Sequence, residues 1–319
     1  MSPRYINHVS PIVFDGPYSL LDTKLFLFPV KGDKQKIQAS VDSFFEPILK
    51  DSHIKYQVMS SYLAIGVSYM NAVSANPEVQ KIFGGFDETD YASWVPLLKT
   101  VRGVPVGIYW FMSFVLVDNP FAVATGREVF GFQKNQATFD PPNKPDGPVD
   151  FKASAWSLET YSPESRVKLR PIFELCKTNQ AASSKHTIKE LDPGHTSLLE
   201  SMESDWDGLA KGFETAEVMV ESLYKSLFLS EVPMVFLKQF RSATDTSEAC
   251  CQSVVETMFK ITEGPKISLI TDQYQLTFGP NATYNLSEQY GLESGCLIDL
   301  SIEVDMSFDL PAGKIVYPK

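Results

Sequence analysis

Between 298 and 308 apolar and polar residues alternate one for one. Ile298, Leu300, Ile302, Val304, Met306 and Phe308 are apolar, with Asp299, Ser301, Glu303, Asp305 and Ser307 between them. Successive side chains on a strand point to opposite faces, so this period of two predicts a strand with one face in a core and one in water. Runs rich in β-formers at 233–241, 253–262 and 266–278 predict further strands, punctuated by Gly264-Pro265 and Gly279-Pro280. A wet face belongs to antiparallel sheet, because parallel strands are covered on both sides. Two more strands are expected in the first half, at 56–70 (YQVMSSYLAIGVSYM) and 104–117 (VPVGIYWFMSFVLV). Residues 71–92, broken by Gly84-Gly85 and acidic at Asp87, Glu88 and Asp90, read as a loop with short helical turns.

A helical period shows in two places. At 32–49, Ile37, Val41, Phe44 and Phe45 share one helical face, and Pro47 is expected to end the helix. From Thr215 to Leu229, Met219, Leu223 and Leu227 form one row, with Val220, Tyr224 and Phe228 beside it. This second helix either packs on the sheet or binds a partner. It closes a region that opens polar near 181 and carries Glu200, Glu203, Asp205 and Asp207.

Composition narrows the function. Twenty-eight basic against 39 acidic residues give a net charge of -11, which disfavours nucleic acid and anionic membranes as partners. An anionic substrate would need a local basic group. No apolar stretch nears the roughly 18 residues of a membrane span, and the N-terminus lacks the basic start and apolar run of a secretory signal. Cys176, Cys250, Cys251 and Cys296 show no disulfide framework, so a cytoplasmic location is expected. The four histidines lack metal-ligand spacing, and dinucleotide, P-loop and nucleophile-elbow motifs are missing.

The stretch VDNPFAVATGREVFGFQKN at 117–135 resembles the active-site segment of acetoacetate decarboxylases. In that family an Asp-Asn turn precedes an Ala-rich strand, a Gly-Arg-Glu triplet and a lysine six residues after the Glu. The matching residues are Asp118-Asn119, Ala122 and Ala124, Gly126-Arg127-Glu128, and Lys134. Gly16-Pro17-Tyr18, Phe236-Leu237-Lys238 and the closing strand near 297–307 extend the likeness over most of the chain. The resemblance implies an α+β fold, a large curved antiparallel sheet or barrel with peripheral helices. It implies one domain over 1–319, with a helical insertion at 181–231. It also implies that Lys134 forms a Schiff base, and it alone suggests a homo-oligomer.

An amine attacks a carbonyl only when unprotonated, and at neutral pH fewer than about one ordinary lysine in a thousand is free. Desolvation or a nearby cation must therefore lower its pKa. On a strand, Phe130, Phe132 and Lys134 would share a face and surround the amine with apolar wall. A protonated imine then withdraws electrons from the neighbouring carbon, and a β-keto acid can lose carbon dioxide to leave an enamine. The expected function is a Schiff-base lyase acting on a keto acid or related carbonyl compound by decarboxylation. Aldolase, dehydratase or cyclase chemistry on the same lysine, or ligand binding without catalysis, are the alternatives. No cofactor or metal is implied, because the imine is itself the electron sink.

Several positions depart from the family pattern. Asn135 stands where a second lysine follows the nucleophile, and Gln133 stands where proline precedes it. Thr23 replaces a basic residue, with Lys24 one step away, and the strand near 56–70 has Gln57, Ser60 and Ser61 but no carboxylate. Strand parity puts Glu128 on the same side as Lys134 and makes it a catalytic candidate alongside Asp90, for which Glu88 is the fallback. Arg127 either clamps a substrate carboxylate or makes a structural ion pair. Tyr18, Phe132 and Gln133 are expected to line the pocket.

Overall fold

The first strand, β1 (Tyr18–Lys31), carries the run LFLFPV and is buried on both faces from Leu25 to Val30. Such a strand must lie between two cores, and the computed structural model shows both. It describes residues 5–6, 12–140, 150–178, 185–188, 222–223, 225–227, 229–270 and 272–318. β1 pairs antiparallel with β3 (Tyr62–Ser74) on one side and β15 (Ser301–Leu310) on the other. Next to β3 lies β4 (Gly85–Val101), and next to β15 lie β12 (Ala249–Ile270) and β11 (Glu231–Arg241). β5 (Val104–Phe111) closes the ring. It pairs antiparallel with β4 and meets β11 in a parallel bridge, Trp110 to Met234. Seven strands thus form a barrel.

β4 is the junction with a second layer. Its first half also pairs with β6 (Val115–Val117), which runs parallel to β7 (Lys134–Asp140). From β7 the sheet continues through β8 (Phe151–Ser157), β9 (Lys168–Lys177), β13 (Tyr274–Thr277) and β14 (Cys296–Ile298). Three short strands flank the ring: β2 (Ile54–Val58) pairs with β4, while β10 (Lys185–Ile188) and β16 (Lys314–Tyr317) pair with β12.

One parity of the ring strands points into the barrel, with Leu25, Leu27, Trp94, Val304 and Phe308 in one apolar cluster. The other parity, including Phe26, Phe28, Val67, Tyr91 and Leu97, packs outward against Phe151, Phe173 and Tyr274 of the second layer. Helix α1 (Lys34–Leu49) covers this outer core through Ile37, Val41, Phe45 and Leu49. Asp33 caps it by accepting from the backbone N–H of Gln35 and Lys36 at 2.8 and 3.1 Å. Helices α2 (Pro77–Phe83), α3 (Pro120–Thr125) and α4 (Leu286–Tyr290) are short.

The expected α+β fold with a large curved sheet is observed, and four local expectations are corrected. Residues 71–92 contain the start of β4, because Phe86, Glu88, Asp90, Ala92 and Trp94 alternate with residues of the outer face. Helix α1 runs past Pro47 to Leu49, since a proline in the last turn removes only one helical hydrogen bond. Gly264-Pro265 is a register break within β12, not a turn between two strands. The polar face of β15 is not wet. Ser301 and Glu303 are buried in mid-sheet, where Lys24 reaches Glu303 at 2.9 Å. Of the region 181–231, residues 185–188 form β10, and 222–223 and 225–227 are helical, with Leu223 and Leu227 in the barrel cluster. The remaining expectations for that region lie outside the described residues.

Candidate active site

Register brings the site together. Ala92 of β4 faces Val115 of β6, which faces Lys134 at the start of β7. Asp90 and Glu88 lie two and four residues before Ala92, so parity aims all three ionisable side chains into the barrel. Lys134 Nζ donates to Glu88 Oε2 at 2.9 Å and stands 3.4 Å from Asp90 Oδ2. Lys134 and Glu88 are each 6% exposed. Asp90 Oδ1 is buried and finds no hydrogen-bond partner among the described residues.

The segment before Lys134 is helical, not an Ala-rich strand. Asn119 caps α3 by accepting from the backbone N–H of Phe121 at 2.9 Å, and Pro120 occupies the first helical position, where its missing N–H costs nothing. Asp118 accepts from the backbone N–H of Thr89 at 2.9 Å and ties the cap to β4. After α3 the chain widens into a π-helical turn over Gly126–Phe130, closed by Gly131 at φ +87°. Both glycines have a steric reason. A Cβ on Gly126 would stand 2.8 Å from Lys134 Cδ, so the lysine crosses the turn where no side chain is present. A Cβ on Gly131 would stand 2.5 Å from Lys238 Cα.

The three ionisable groups share the wall of a cavity of about 80 Å³ inside the barrel. Its wall is otherwise mostly apolar, with Tyr18, Phe86, Trp94, Met112, Phe130, Phe132, Phe259 and Phe308 among its side chains and Thr23, Ser68 and Thr125 adding hydroxyls. Phe132 lies under the amine, 5.6 Å from Nζ to the ring centre, and packs against Phe236. Tyr18 donates its hydroxyl to Phe14 O, and burial raises its pKa well above the ordinary phenol.

Electrostatics reverses the expectation for the lysine. Burial pulls its pKa down, but Asp90 and Glu88 together outweigh burial and hold it above the ordinary lysine value. The resting group is an ammonium. Asp90 is raised as well, which for a carboxyl favours the neutral form. Burial, and then the charge of Glu88, push it up to about 8, against the attraction of Lys134. At neutral pH Asp90 therefore keeps its proton, which leaves a group near zero net charge: ammonium, Glu88 carboxylate and Asp90 carboxylic acid.

Lys134, Asp90, Tyr18 and Phe132 thus line one cavity, and Glu88 joins them. Arg127, Glu128 and Gln133 are not in its wall. The parity argument for Glu128 assumed a strand, and the helical turn changes its direction; it accepts from Tyr5 OH at 2.9 Å. Arg127 is exposed and donates to Lys134 O at 3.3 Å and Asn135 Oδ1 at 3.4 Å. Gln133 donates to Gly131 O and Leu237 O, both at 3.3 Å. Sequence reasoning missed Trp94, Met112, Phe259 and Phe308, although alternation from Phe86 to Trp94 was the signal for that face of β4. Among the described residues no three His, Cys, Asp or Glu side chains group closely enough to hold a metal ion. Nor is any described helix long and apolar enough to cross a membrane.

No family sequence model matches the chain, and no curated protein sequence matches it significantly. Solved structures do. The chain is similar to acetoacetate decarboxylase from Legionella pneumophila at 16% identity and TM-score 0.56, covering 99% of this chain and 91% of that one. It is similar to an acetoacetate decarboxylase-like enzyme from Sphingomonas wittichii RW1 at 10% identity and TM-score 0.57, covering 98% of each chain. The enduracididine biosynthesis enzyme MppR, complexed with pyruvate, matches at 10% identity and TM-score 0.54, covering 96% of this chain and 93% of that one. At these identities the fold is what is shared.

Proposed function

On a chain with the acetoacetate decarboxylase-like fold, we propose that Lys134 forms a Schiff base with a carbonyl substrate. The observation that carries this reading is a buried lysine with a carboxylate 2.9 Å away in the wall of an otherwise mostly apolar cavity. Glu88 takes a proton from the ammonium, which removes two opposite charges from a low-dielectric site and frees the amine for attack. The amine adds to the carbonyl carbon, and one amine proton passes to the oxygen. Asp90 then protonates the carbinolamine hydroxyl, which leaves as water. Iminium and Asp90 carboxylate remain, and the net charge is conserved. Electrons from a bond at the neighbouring carbon flow into the iminium and give an enamine. With a β-keto acid the group lost is carbon dioxide; with a β-hydroxy carbonyl compound it is an aldehyde or ketone. Protonation at carbon and hydrolysis by water return the amine. Tyr18 and Phe132 wall the amine, while Arg127 and Gln133 hold the backbone on either side of it.

Support for an enzyme of this class comes from the neighbours sharing the fold and from the site's own pairing of base and acid. The raised lysine favours a second reading, ligand binding without chemistry. Borohydride reduction in the presence of carbonyl compounds separates the two. A reduced adduct mapped to Lys134 by mass is the expected result, and saturable binding with no adduct would establish the second reading.

A further inference from the structure

We infer that the site takes a small uncharged carbonyl compound with a short apolar tail, in preference to a keto acid. This rests on the Schiff-base reading and names its substrate class. The argument is one of charge and space. Two carboxyl groups, Glu88 and Asp90, face one amine, so beside an ammonium the net charge of the three groups is zero with one carboxyl protonated and -1 with neither. Imine formation as written above keeps the total unchanged, and no positive charge is left over for a substrate carboxylate. Among the described residues, Lys134 is the sole basic one in the cavity wall. Lys24 is adjacent to Thr23, which does line the wall, but it points to the opposite face of β1 and is held by Glu303 at 2.9 Å and Asp305 at 3.3 Å. Arg127 is on the outside. A carboxylate brought into this cavity is desolvated without a partner, which is strongly unfavourable.

The remainder of the cavity suits a hydrocarbon. Trp94, Met112, Phe259, Met306 and Phe308 are apolar parts of the wall, and the methionines adapt to irregular shapes. Gly66 leaves room for the Trp94 indole, since a Cβ there would collide with its Nε1. A cavity of about 80 Å³ is about half the roughly 150 Å³ that accepts benzene, so the tail it takes is short. Loss of carbon dioxide is then not the favoured outcome. The iminium is directed instead to aldol, retro-aldol or dehydration steps, in which the group gained or lost is neutral.

Two pairs of probes, matched within each pair in shape and number of non-hydrogen atoms, test this: 3-methyl-2-butanone against pyruvate, and 2-methylpropanal against glyoxylate. Each is titrated with cyanoborohydride, and the adduct on Lys134 is quantified by mass. Each concentration dependence is normalised to trapping by Nα-acetyl-lysine, so that intrinsic carbonyl reactivity cancels. The neutral member is expected to half-saturate at a concentration lower by about tenfold or more, the equivalent of roughly 1.4 kcal/mol. Asp90→Asn, which removes the carboxylate that forms beside the iminium and leaves that positive charge uncompensated, should narrow that gap. Equal trapping within each pair, or preference for the acid, overturns this inference and leaves the Schiff-base reading standing. If none of the four probes gives an adduct on Lys134, the Schiff-base reading falls and the substrate class with it.

Discussion

Strand β4 carries two buried lysine–carboxylate groupings, one on each face. On the inner face Glu88 and Asp90 hold Lys134. On the outer face Lys99 itself belongs to β4, and it pairs with Glu256 of β12, both about a tenth exposed. The outer pair is saturated. Tyr56 donates to Glu256 Oε1 at 2.5 Å and Tyr109 to Oε2 at 3.3 Å, and the Lys99 ammonium lies 5.0 Å from the Tyr109 ring centre. Burial and Glu256 push Tyr56 far above an ordinary phenol and Tyr109 up to about 12, so both remain donors at any physiological pH. The inner group has one carboxyl group in excess, an Asp90 oxygen without a hydrogen-bond partner among the described residues, and a cavity beside it. A buried ion pair is therefore not in itself a sign of chemistry. An extra carboxyl group next to open volume is what sets Lys134 apart from Lys99.

The strongest way to break this comparison is to remove each lysine. Lys134→Met should abolish adduct formation with any carbonyl probe, to the background of the borohydride control. Lys99→Met should still label Lys134, and it should instead lower stability in urea by about 3–5 kcal/mol, because Glu256 is left as an unpaired buried charge. Adding Glu256→Gln to Lys99→Met should recover much of that loss. If Lys99→Met loses labelling while remaining folded, the two groupings are not functionally distinct.

Smaller in effect is Gly126→Ala. The added methyl falls 2.8 Å from Lys134 Cδ and must displace the side chain. Trapping should slow by about ten- to a hundredfold, as expected for a reacting group misplaced by around 1 Å. Helix propensity favours the alanine by up to about 1 kcal/mol, so a rate loss with unchanged or higher melting temperature is the signature to look for.

The mildest test is pH. Asp90 is protonated below about 8 and loses its proton as pH rises through that value. Trapping should therefore decline above about pH 8, where the acid is lost and a second negative charge holds the ammonium. Asp90→Asn should remove that alkaline limb, so that trapping rises as the amine is freed. The folded protein binds the Asp90 proton more tightly than the unfolded chain does. Stability contributed by this group is thus present at low pH and declines as pH rises from the ordinary carboxylate value towards about 8. Melting curves of wild type and Asp90→Asn across that window check the sign.

Much of the fold was legible along the chain. Alternation at 298–308 marked β15, the spacing of Ile37, Val41 and Phe45 marked α1, and the ordered likeness around Lys134 led to the fold that the solved structures share. The misreadings have common physical causes. Asp118-Asn119-Pro120 looked like a turn, yet Asn followed by Pro is also a helix start, and the strand parity assigned to Glu128 failed with it. The acidic run Asp87–Asp90 looked like a solvated loop because composition is dominated by polarity. The alternation of Phe86, Glu88, Asp90, Ala92 and Trp94 carried the better signal.

What the sequence determined by itself was local: which segments form strands and helices, and which lysine stands after two phenylalanines at period two. Backbone sterics and side-chain periodicity act over a few residues and leave their mark in any short window. The tertiary structure alone decided that Lys134 meets two carboxylates from a strand more than 40 residues away, so that its amine is held charged and not merely dry. It alone decided that Lys24 turns outward and Arg127 stays outside the cavity. Charge interactions depend on distance through space and on the dielectric around them, and neither quantity exists until the barrel has closed.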